Sequence, residues 1–263
     1  MRIFLDVGSH FGETLDEVLK PKYKFDKVYC FEPSNHALNI LNKKFSQDSR
    51  VEICPFGLSN SNDRVPLYMP GTLSGSIFEE ANNDNCSDQY EKIELRDASQ
   101  WLNENIGIND FVVMKTNCEG SEIYIIDSLL KSNLLSNIYS LLVTFDIREF
   151  QGHEYKERMI RKRLRQSGLN NFCFSEDVMF GSSHNARIAN WLRLFGIHED
   201  GLDASTLKLR YQRNFEKYSR KNGYFYYLES RVKAFIKFKY FPEFLKVPFR
   251  VLKKIFWTNR EKN

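Results

Sequence analysis

The feature that most constrains this chain is an apolar segment near its beginning that runs directly into a glycine-containing turn. Residues 3–7 are apolar except for Asp6, which is typical of a strand buried on both faces. Gly8 and Gly12 follow, and residues 13–19 carry apolar side chains at helical spacing. Glycine lets the backbone approach a ligand closely, and a helix N-terminus favours polar or anionic groups. The segment predicts a strand, turn and helix around a ligand, or the same turn serving packing alone.

Two later segments repeat the pattern of an apolar strand that ends in polar residues. Residues 27–31 end at Glu32, which lies 26 residues after Asp6, close to the interval at which nucleotide-binding folds place a ribose-binding carboxylate. A carboxylate suits this role because it accepts hydrogen bonds from both ribose hydroxyls. Residues 110–116 form a third apolar run, and the polar residues 117–122 and a helical pattern follow it.

The alternation of strands and helices predicts an α/β fold with a mostly parallel sheet and right-handed crossovers. The carboxyl ends of parallel strands meet at one edge of such a sheet, where ligands bind. We expect this domain to span residues 1–182. Residues 183–263 are expected to form a helical, basic and aromatic C-terminal extension, with helices over 186–195 and 206–218.

Three motifs, taken in order, resemble those of a known family. DVGSHFG at 6–12, FEP at 31–33 and KTNCEGSE at 115–122 resemble the FkbM family of S-adenosylmethionine-dependent methyltransferases, and the resemblance covers roughly residues 1–181. It implies the Rossmann-like class I methyltransferase fold, with a seven-stranded mostly parallel sheet, helices on both faces and a last pair of strands that is partly antiparallel. A closing hairpin is expected over residues 171–180.

The resemblance also implies a binding site for S-adenosyl-L-methionine. The turn from Gly8 to Gly12 would wrap the methionine half, Glu32 would hold the ribose, and Leu58 and Ser59 would border the adenine. The alternatives are that Asp6 only caps the first helix and that Glu32 is only a solvated strand end. The implied cofactor-binding residues are Asp6, Gly8, Ser9, His10, Gly12, Thr14, Glu32, Pro33, Ser34, Gly57, Leu58, Ser59 and Asn117.

The catalytic group is less directly indicated. The third motif of the family usually reads K-x-D-x-E-G, and this chain has Asn117 at the position of the aspartate. Methylation of a hydroxyl needs a general base or a metal that lowers the pKa of the hydroxyl, and an amide can orient a hydroxyl but cannot take its proton. The candidates for the base are therefore Glu119, Asp146, His10 and His153. The alternatives are that Glu119 is only an acid at the N-terminus of a helix, and that His10 and His153 are only surface residues. No metal is expected.

The region that follows the predicted adenine-side loop is long and rich in Gly, Ser and Asn. Residues 71–76 and 82–88 have the composition of a substrate lid or of an ordinary surface loop. Both interpretations remain open from the sequence.

Cysteine use and hydropathy bear on the compartment. The five cysteines are scattered without C-x-x-C spacing, which favours a reducing, cytoplasmic setting without structural zinc. The sequence contains no run of 18 or more apolar residues, so no membrane-spanning helix is predicted. Because the chain enters a strand at once, no targeting peptide is expected. We therefore expect a cytoplasmic protein, and peripheral association with the inner face of the membrane is one of the alternatives left open by its C-terminal segment.

The net charge of +4 hides a division between the two parts of the chain. Residues 205–263 contain 16 Lys and Arg against 4 Asp and Glu, whereas residues 1–204 are net acidic by 8. Amphipathic patterns with aromatic residues recur over 225–257, as in segments that lie on anionic membranes. The partner of 225–257 is expected to be a membrane surface, a glycan-assembly enzyme or the body of the protein itself. Nucleic acid is disfavoured.

Taken together, these features lead to one leading hypothesis and two alternatives. The leading one is an O-methyltransferase (EC 2.1.1.-) that transfers a methyl group to a hydroxyl of a sugar in bacterial surface polysaccharide biosynthesis, as the resemblance implies. The charge of the C-terminal segment raises the alternative of an RNA methyltransferase. Asn117 raises the alternative of a non-catalytic, S-adenosylmethionine-binding scaffold in a glycan-assembly complex.

Overall fold

The computed structural model describes residues 1–79, 90–147, 150, 152–178 and 183–197. Its nine strands are β1 (Arg2–Val7), β2 (Lys27–Phe31), β3 (Val51–Cys54), β4 (Gly57–Ser59), β5 (Asp63–Tyr68), β6 (Tyr90–Asp97), β7 (Phe111–Thr116), β8 (Ile138–Val143) and β9 (Phe172–Phe174). Its seven α-helices are α1 (Leu15–Val18), α2 (Asn35–Phe45), α3 (Ala98–Asn105), α4 (Glu122–Lys131), α5 (Glu154–Gln166), α6 (Ser175–Val178) and α7 (His184–Leu194).

The main sheet has the order β3-β2-β1-β7-β8-β9, and every pair of neighbouring strands is parallel. The predicted α/β fold with a mostly parallel sheet flanked by helices is confirmed. The first strand is central, because Leu5 lies opposite Tyr29 of β2 on one side and Met114 of β7 on the other. The carboxyl ends of β1, β2 and β7 consequently lie side by side.

Side chains alternate between the two faces of the sheet, as strand geometry requires. Ile3 and Leu5 pack with Met114 in a core on one face. Phe4 packs with Val113 in a second core on the opposite face. Both cores consist of closely packed, buried apolar side chains, so the sheet is a rigid support for the loops at its carboxyl edge.

The closing hairpin expected over residues 171–180 is wrong in its second half. β9 pairs in parallel with β8, and the chain then turns directly into α6. The reason is a buried ion pair, in which Arg161 of α5 donates to both Glu157 and Glu176. The Arg161 guanidinium also lies 3.9 Å from the ring centroid of Phe174. This long-range network holds the segment as a helix. The described residues thus contribute six strands, not seven, to the main sheet.

A second, smaller sheet has the order β4-β6-β5. β6 is parallel to β4 and antiparallel to β5. Leu67, Ile93 and Leu95 are buried on one face of this sheet. This sheet supplies one wall of the cleft at the carboxyl edge of the main sheet. Within the ranges given above, no helix is both long and apolar enough to cross a membrane.

The last described helix, α7, belongs to the body of the fold although the sequence assigns it to the extension. Trp191 is fully buried and meets Phe4 edge to face, with ring centroids 6.1 Å apart. Ile188 and Phe195 are buried in the same core. The proposed division at residue 182 stays a prediction, and residues 198–263 lie outside the described part.

The docking of α7 leads to a stability prediction. Ile188 is fully buried, so Ile188→Val is expected to lower the free energy of unfolding by about 0.5–1.5 kcal/mol through lost packing. The matched control is Ile108→Val, since Ile108 is 91% exposed and the same change there is expected to cost less than about 0.5 kcal/mol. Urea unfolding of both variants measures the difference. Equal losses would contradict the packing of α7 against the sheet.

Candidate functional site

A cleft opens where the carboxyl ends of β1, β2 and β7 face the small sheet. Its volume is about 820 Å³, including the space at its open mouth. Polar residues after the three strands form one side, and apolar residues of the small sheet form the other. This is the edge at which doubly wound folds bind ligands.

The turn after β1 is held against both neighbouring strands. The N–H groups of Gly8 and Ser9 donate to the carbonyl oxygen of Phe31 at 3.1 and 3.2 Å. Gly8 has a φ of +77°, and a Cβ on it would lie 1.9 Å from the carbonyl oxygen of Asn117. Only glycine therefore permits the loops after β1 and β7 to meet, which brings the first and third motifs together.

Asp6 and Lys115 form a buried ion pair beneath this turn. The Lys115 Nζ atom lies 3.0 Å from Oδ1 of Asp6 and donates to the carbonyl oxygen of Gly8 at 3.0 Å. Burial raises the pKa of Asp6, and the Lys115 ammonium opposes that rise. The alternative that Asp6 only caps the first helix is wrong, because its carboxylate is fully buried against Lys115.

Glu32 lies in the floor of the cleft. Its Oε2 accepts from the His10 N–H and its Oε1 accepts from the Ser34 N–H, both at 2.9 Å. Burial raises the pKa of Glu32, and the two N–H donors oppose that rise. The alternative of a solvated strand end is wrong, because Glu32 is only 7% exposed. Each carboxylate oxygen has a further lone pair with which to accept from a ligand hydroxyl.

Three polar atoms of the cleft-lining residues have no hydrogen-bond partner among the described residues. They are His10 Nε2 after β1, Ser34 Oγ after β2 and Asn117 Oδ1 after β7, and all three are shielded from solvent. An unsatisfied buried polar atom costs roughly 1–3 kcal/mol, and so each needs an explanation. A ligand with several polar groups would satisfy them. The ribose hydroxyls and the amino-acid end of S-adenosylmethionine fit that requirement.

The opposite wall suits a flat, apolar ring. Leu58 of β4, Leu67 of β5, and Ile93 and Leu95 of β6 line it, and Pro33 approaches from the loop after β2. Burying an aromatic ring against such a wall is favourable at about 25 cal/mol for each Å² of apolar surface. An adenine ring would fit here chemically.

The implied cofactor-binding residues fall into two groups. Those that line the cleft are Gly8, His10, Glu32, Pro33, Ser34, Gly57, Leu58 and Asn117. Those that lie behind its surface are Asp6, Ser9, Gly12, Thr14 and Ser59. Thr14, for example, has its Oγ1 3.0 Å from Nε2 of His184 in α7. The second group supports the cleft wall. All of these assignments stay predictions.

The candidate catalytic residues are also separated by the fold. The general-base candidates His10 and Glu119 line the cleft, as does Asn117. Asp146 donates its N–H to Glu122 on the far side of the β7 loop. His153 packs edge to face on Phe78, with centroids 4.9 Å apart. The structure thus brings Asn117 and Glu119 together with His10, and it places Asp146 and His153 outside the cleft lining.

The segment before residue 80 closes one side of the cleft. Thr72, Leu73, Ser76 and Ile77 line it, and the Ser76 hydroxyl donates to the Glu119 carbonyl oxygen at 2.6 Å. This position agrees with either interpretation of residues 71–76. Residues 82–88, the other part of the predicted lid, lie outside the described residues.

Glu122 is a buried acid whose role near the site is missed by sequence reasoning. Its carboxylate accepts the N–H of Gly120 and Asp146 at 2.8 Å and that of Ile147 at 3.2 Å. It therefore ties the loop after β7 to the loop after β8. Burial and the nearby Asp146 carboxylate raise the pKa of Glu122 to about 8. The sequence signal for Glu122 was its position in the segment E-G-S-E, but an acid at this position is equally typical of an ordinary helix N-terminus.

The raised pKa of Glu122 leads to a prediction on stability. A carboxyl whose folded pKa exceeds its unfolded value of 4.5 stabilises the fold at low pH and loses that contribution as pH rises toward 8. In Glu122→Gln, which does not ionise, this dependence on pH disappears. Between pH 5 and pH 8, the free energy of unfolding of the variant is expected to rise by about 1 kcal/mol or more relative to that of the parent, as measured by urea unfolding.

Glu17 provides a control of opposite sign for this experiment. Burial opposes its ionisation, but hydrogen bonds from Lys20, Tyr23 and Lys22 lower the pKa of Glu17 overall. The stabilisation that ionised Glu17 provides is present above its unfolded pKa. Glu17→Gln is therefore expected to lower the free energy of unfolding by the same amount at pH 5 and at pH 8. A constant difference between parent and Glu122→Gln over this range would contradict the prediction for Glu122.

The fold and the cleft define the class: a Rossmann-like α/β domain with a cleft at the carboxyl ends of its parallel strands. No family model matches the chain, and no curated protein matches it either. A solved structure similar to part of it is the crystal structure of methyltransferase FkbM from Methylobacillus flagellatus KT at 2.20 Å resolution. The two are 19% identical over 52% of this chain and 31% of that chain, with a TM-score of 0.35. The matched region covers about a third of that structure, and so weak a similarity does not assign its activity to this chain.

Proposed function

We propose that the protein is an S-adenosylmethionine-dependent methyltransferase. The observation that carries the proposal is the set of three unsatisfied polar atoms, on His10, Ser34 and Asn117, which belong to residues lining the same cleft as the buried Glu32. The three motifs that resemble the FkbM family supply these same strand ends. When bound, S-adenosylmethionine supplies a methyl group that is already activated on a sulfonium.

The residues of this chain would position an acceptor and manage one proton. Glu32 would hold the ribose hydroxyls, and the wall of Leu58 and Leu95 would cover the adenine. Glu119 is the acid beside Asn117 in the cleft lining, so it is the proposed general base that takes the hydroxyl proton at its carboxylate. Asn117 would orient the hydroxyl through its amide. The segment from Thr72 to Ile77 would exclude water.

The proposed acceptor is a sugar hydroxyl of a bacterial surface polysaccharide. The resemblance to the FkbM family supports this substrate class. The basic segment 225–257, proposed to lie on the inner face of an anionic membrane, would place the enzyme near lipid-linked glycans. Transfer of labelled methyl to a glycan fraction tests the acceptor, and loss of transfer to all glycans despite bound cofactor would contradict it.

Two other functions have specific observations in their favour. The +12 charge of residues 205–263 favours an RNA methyltransferase, which would bind RNA with an affinity that falls steeply with salt. Asn117, in place of an acid, favours a non-catalytic scaffold. Turnover with any acceptor, lost in Glu32→Ala, would exclude the scaffold.

Isothermal titration of the full chain with S-adenosylhomocysteine tests the cofactor directly. Micromolar binding that is lost in Glu32→Ala is the expected result, because removal of a charged hydrogen-bond acceptor costs about 1.5–3 kcal/mol. The control is Glu104→Ala, which removes an exposed acid of α3 outside the cleft. Unchanged affinity in Glu32→Ala would overturn the proposed site.

A further inference from the structure

His10 is the one side chain among the described cleft-lining residues that can carry a positive charge. The acids Glu32 and Glu119 line the same cleft and would repel an anionic ligand group. Any carboxylate that binds in the cleft is therefore expected to lie at His10. The charged or titratable groups around this turn include Asp6, Glu13, Glu32, Glu119, His36, Lys44, Lys115 and His184.

The His10 ring is held on two sides. Its Nδ1 lies 3.0 Å from Oε1 of Glu13, and its face stacks on Phe11 with ring centroids 3.6 Å apart. Although burial opposes ionisation, hydrogen bonds from its own N–H and from His10 lower the pKa of Glu13. An ionised carboxylate only accepts hydrogen bonds, so Nδ1 carries the proton in this pair. The ring atom that remains without a partner among the described residues is Nε2.

We propose that Glu13 is a positioning residue that fixes His10, whose Nε2 then binds the carboxylate of the amino-acid end of S-adenosylmethionine. This assignment rests on the proposed function and deepens it. With Nδ1 already protonated, Nε2 donates to a carboxylate only when the imidazole is positive, because a neutral imidazole has a single N–H.

The test compares two probes that share an adenosine. S-adenosylhomocysteine has the amino-acid end, whereas 5′-methylthioadenosine ends in a methyl group and lacks it. Calorimetry of the full chain and of its His10→Asn variant is expected to show S-adenosylhomocysteine binding that is about tenfold weaker in the variant, as the loss of one charge-assisted hydrogen bond predicts. Binding of 5′-methylthioadenosine is expected to stay constant.

Variants separate positioning from a merely structural role. His10→Asn and Glu13→Gln are each expected to weaken the binding of S-adenosylhomocysteine and to leave the binding of 5′-methylthioadenosine unaffected. Glu13→Asp, which keeps the charge, is expected to restore part of the loss. The matched control is Asp16→Asn, an exposed acid one turn further along the same segment.

The outcomes distinguish this assignment from the proposed function. Binding of both probes that is unchanged in His10→Asn would overturn the assignment and leave the methyltransferase proposal standing. An equal loss of both probes in Glu13→Gln would also overturn it, because that result marks a structural role. Absence of binding by both probes to the parent protein would overturn the proposed function, and the assignment with it.

Discussion

Replacing Gly8 by alanine is expected to abolish measurable binding of S-adenosylhomocysteine and to lower the free energy of unfolding by about 2–5 kcal/mol. The added Cβ would lie 1.9 Å from the carbonyl oxygen of Asn117, and the φ of +77° is itself unfavourable for alanine. The loops after β1 and β7 would have to separate, which moves His10 and Asn117 apart. Calorimetry and urea unfolding measure the two effects.

Gly168 offers a matched control for this substitution. It has a φ of +71°, and nothing lies within 4 Å of the position where a Cβ would stand. Gly168→Ala therefore carries the backbone cost of about 1–2 kcal/mol without the clash, and it leaves the cleft untouched. If the two variants lost equal stability and both bound S-adenosylhomocysteine, the close approach of the two loops would be contradicted.

Glu119→Gln is expected to lower the rate of methyl transfer by a factor of about 10²–10⁴, the usual contribution of a general base. Binding of S-adenosylhomocysteine is expected to change by less than about threefold, because the isosteric amide removes only the ability to take a proton. The measurement is single-turnover transfer of labelled methyl to a glycan acceptor, with binding followed in parallel.

Two further variants complete the assignment of the base. Glu104→Gln alters an exposed acid of α3 and is expected to leave the rate unchanged. Asp146→Asn changes an acid outside the cleft lining and is expected to have a small effect. A full rate in Glu119→Gln together with a loss in Asp146→Asn would transfer the role to Asp146.

The sequence predicted those parts of the fold that depend on local patterns. The apolar runs that end at Gly8, Glu32 and Asn117 are the three adjacent strands β1, β2 and β7. The helix α6 was missed because the groups that hold it, Arg161 and Glu176, are distant in sequence from each other. A segment of four residues has no local signal that separates a strand from a helix in such a case.

The candidate site divides in the same way. The motifs identified Glu32 and Asn117 as residues at strand ends, and the structure places both in the cleft lining. The role of Glu13 was not apparent, because an acid at the start of a helix is ordinarily explained by the helix dipole. The ion pair of Asp6 and Lys115 joins two strands that are 109 residues apart, so it emerges only once β1 and β7 are paired.

The burial of Trp191 has a practical consequence for anyone who dissects this protein. A chain shortened at residue 182 would lose the indole that covers Phe4 of the central strand. The apolar surface exposed in this way would favour aggregation. That aggregation would be mistaken for an effect of removing the C-terminal segment. Truncations meant to isolate the basic segment should therefore retain every residue through Ile197.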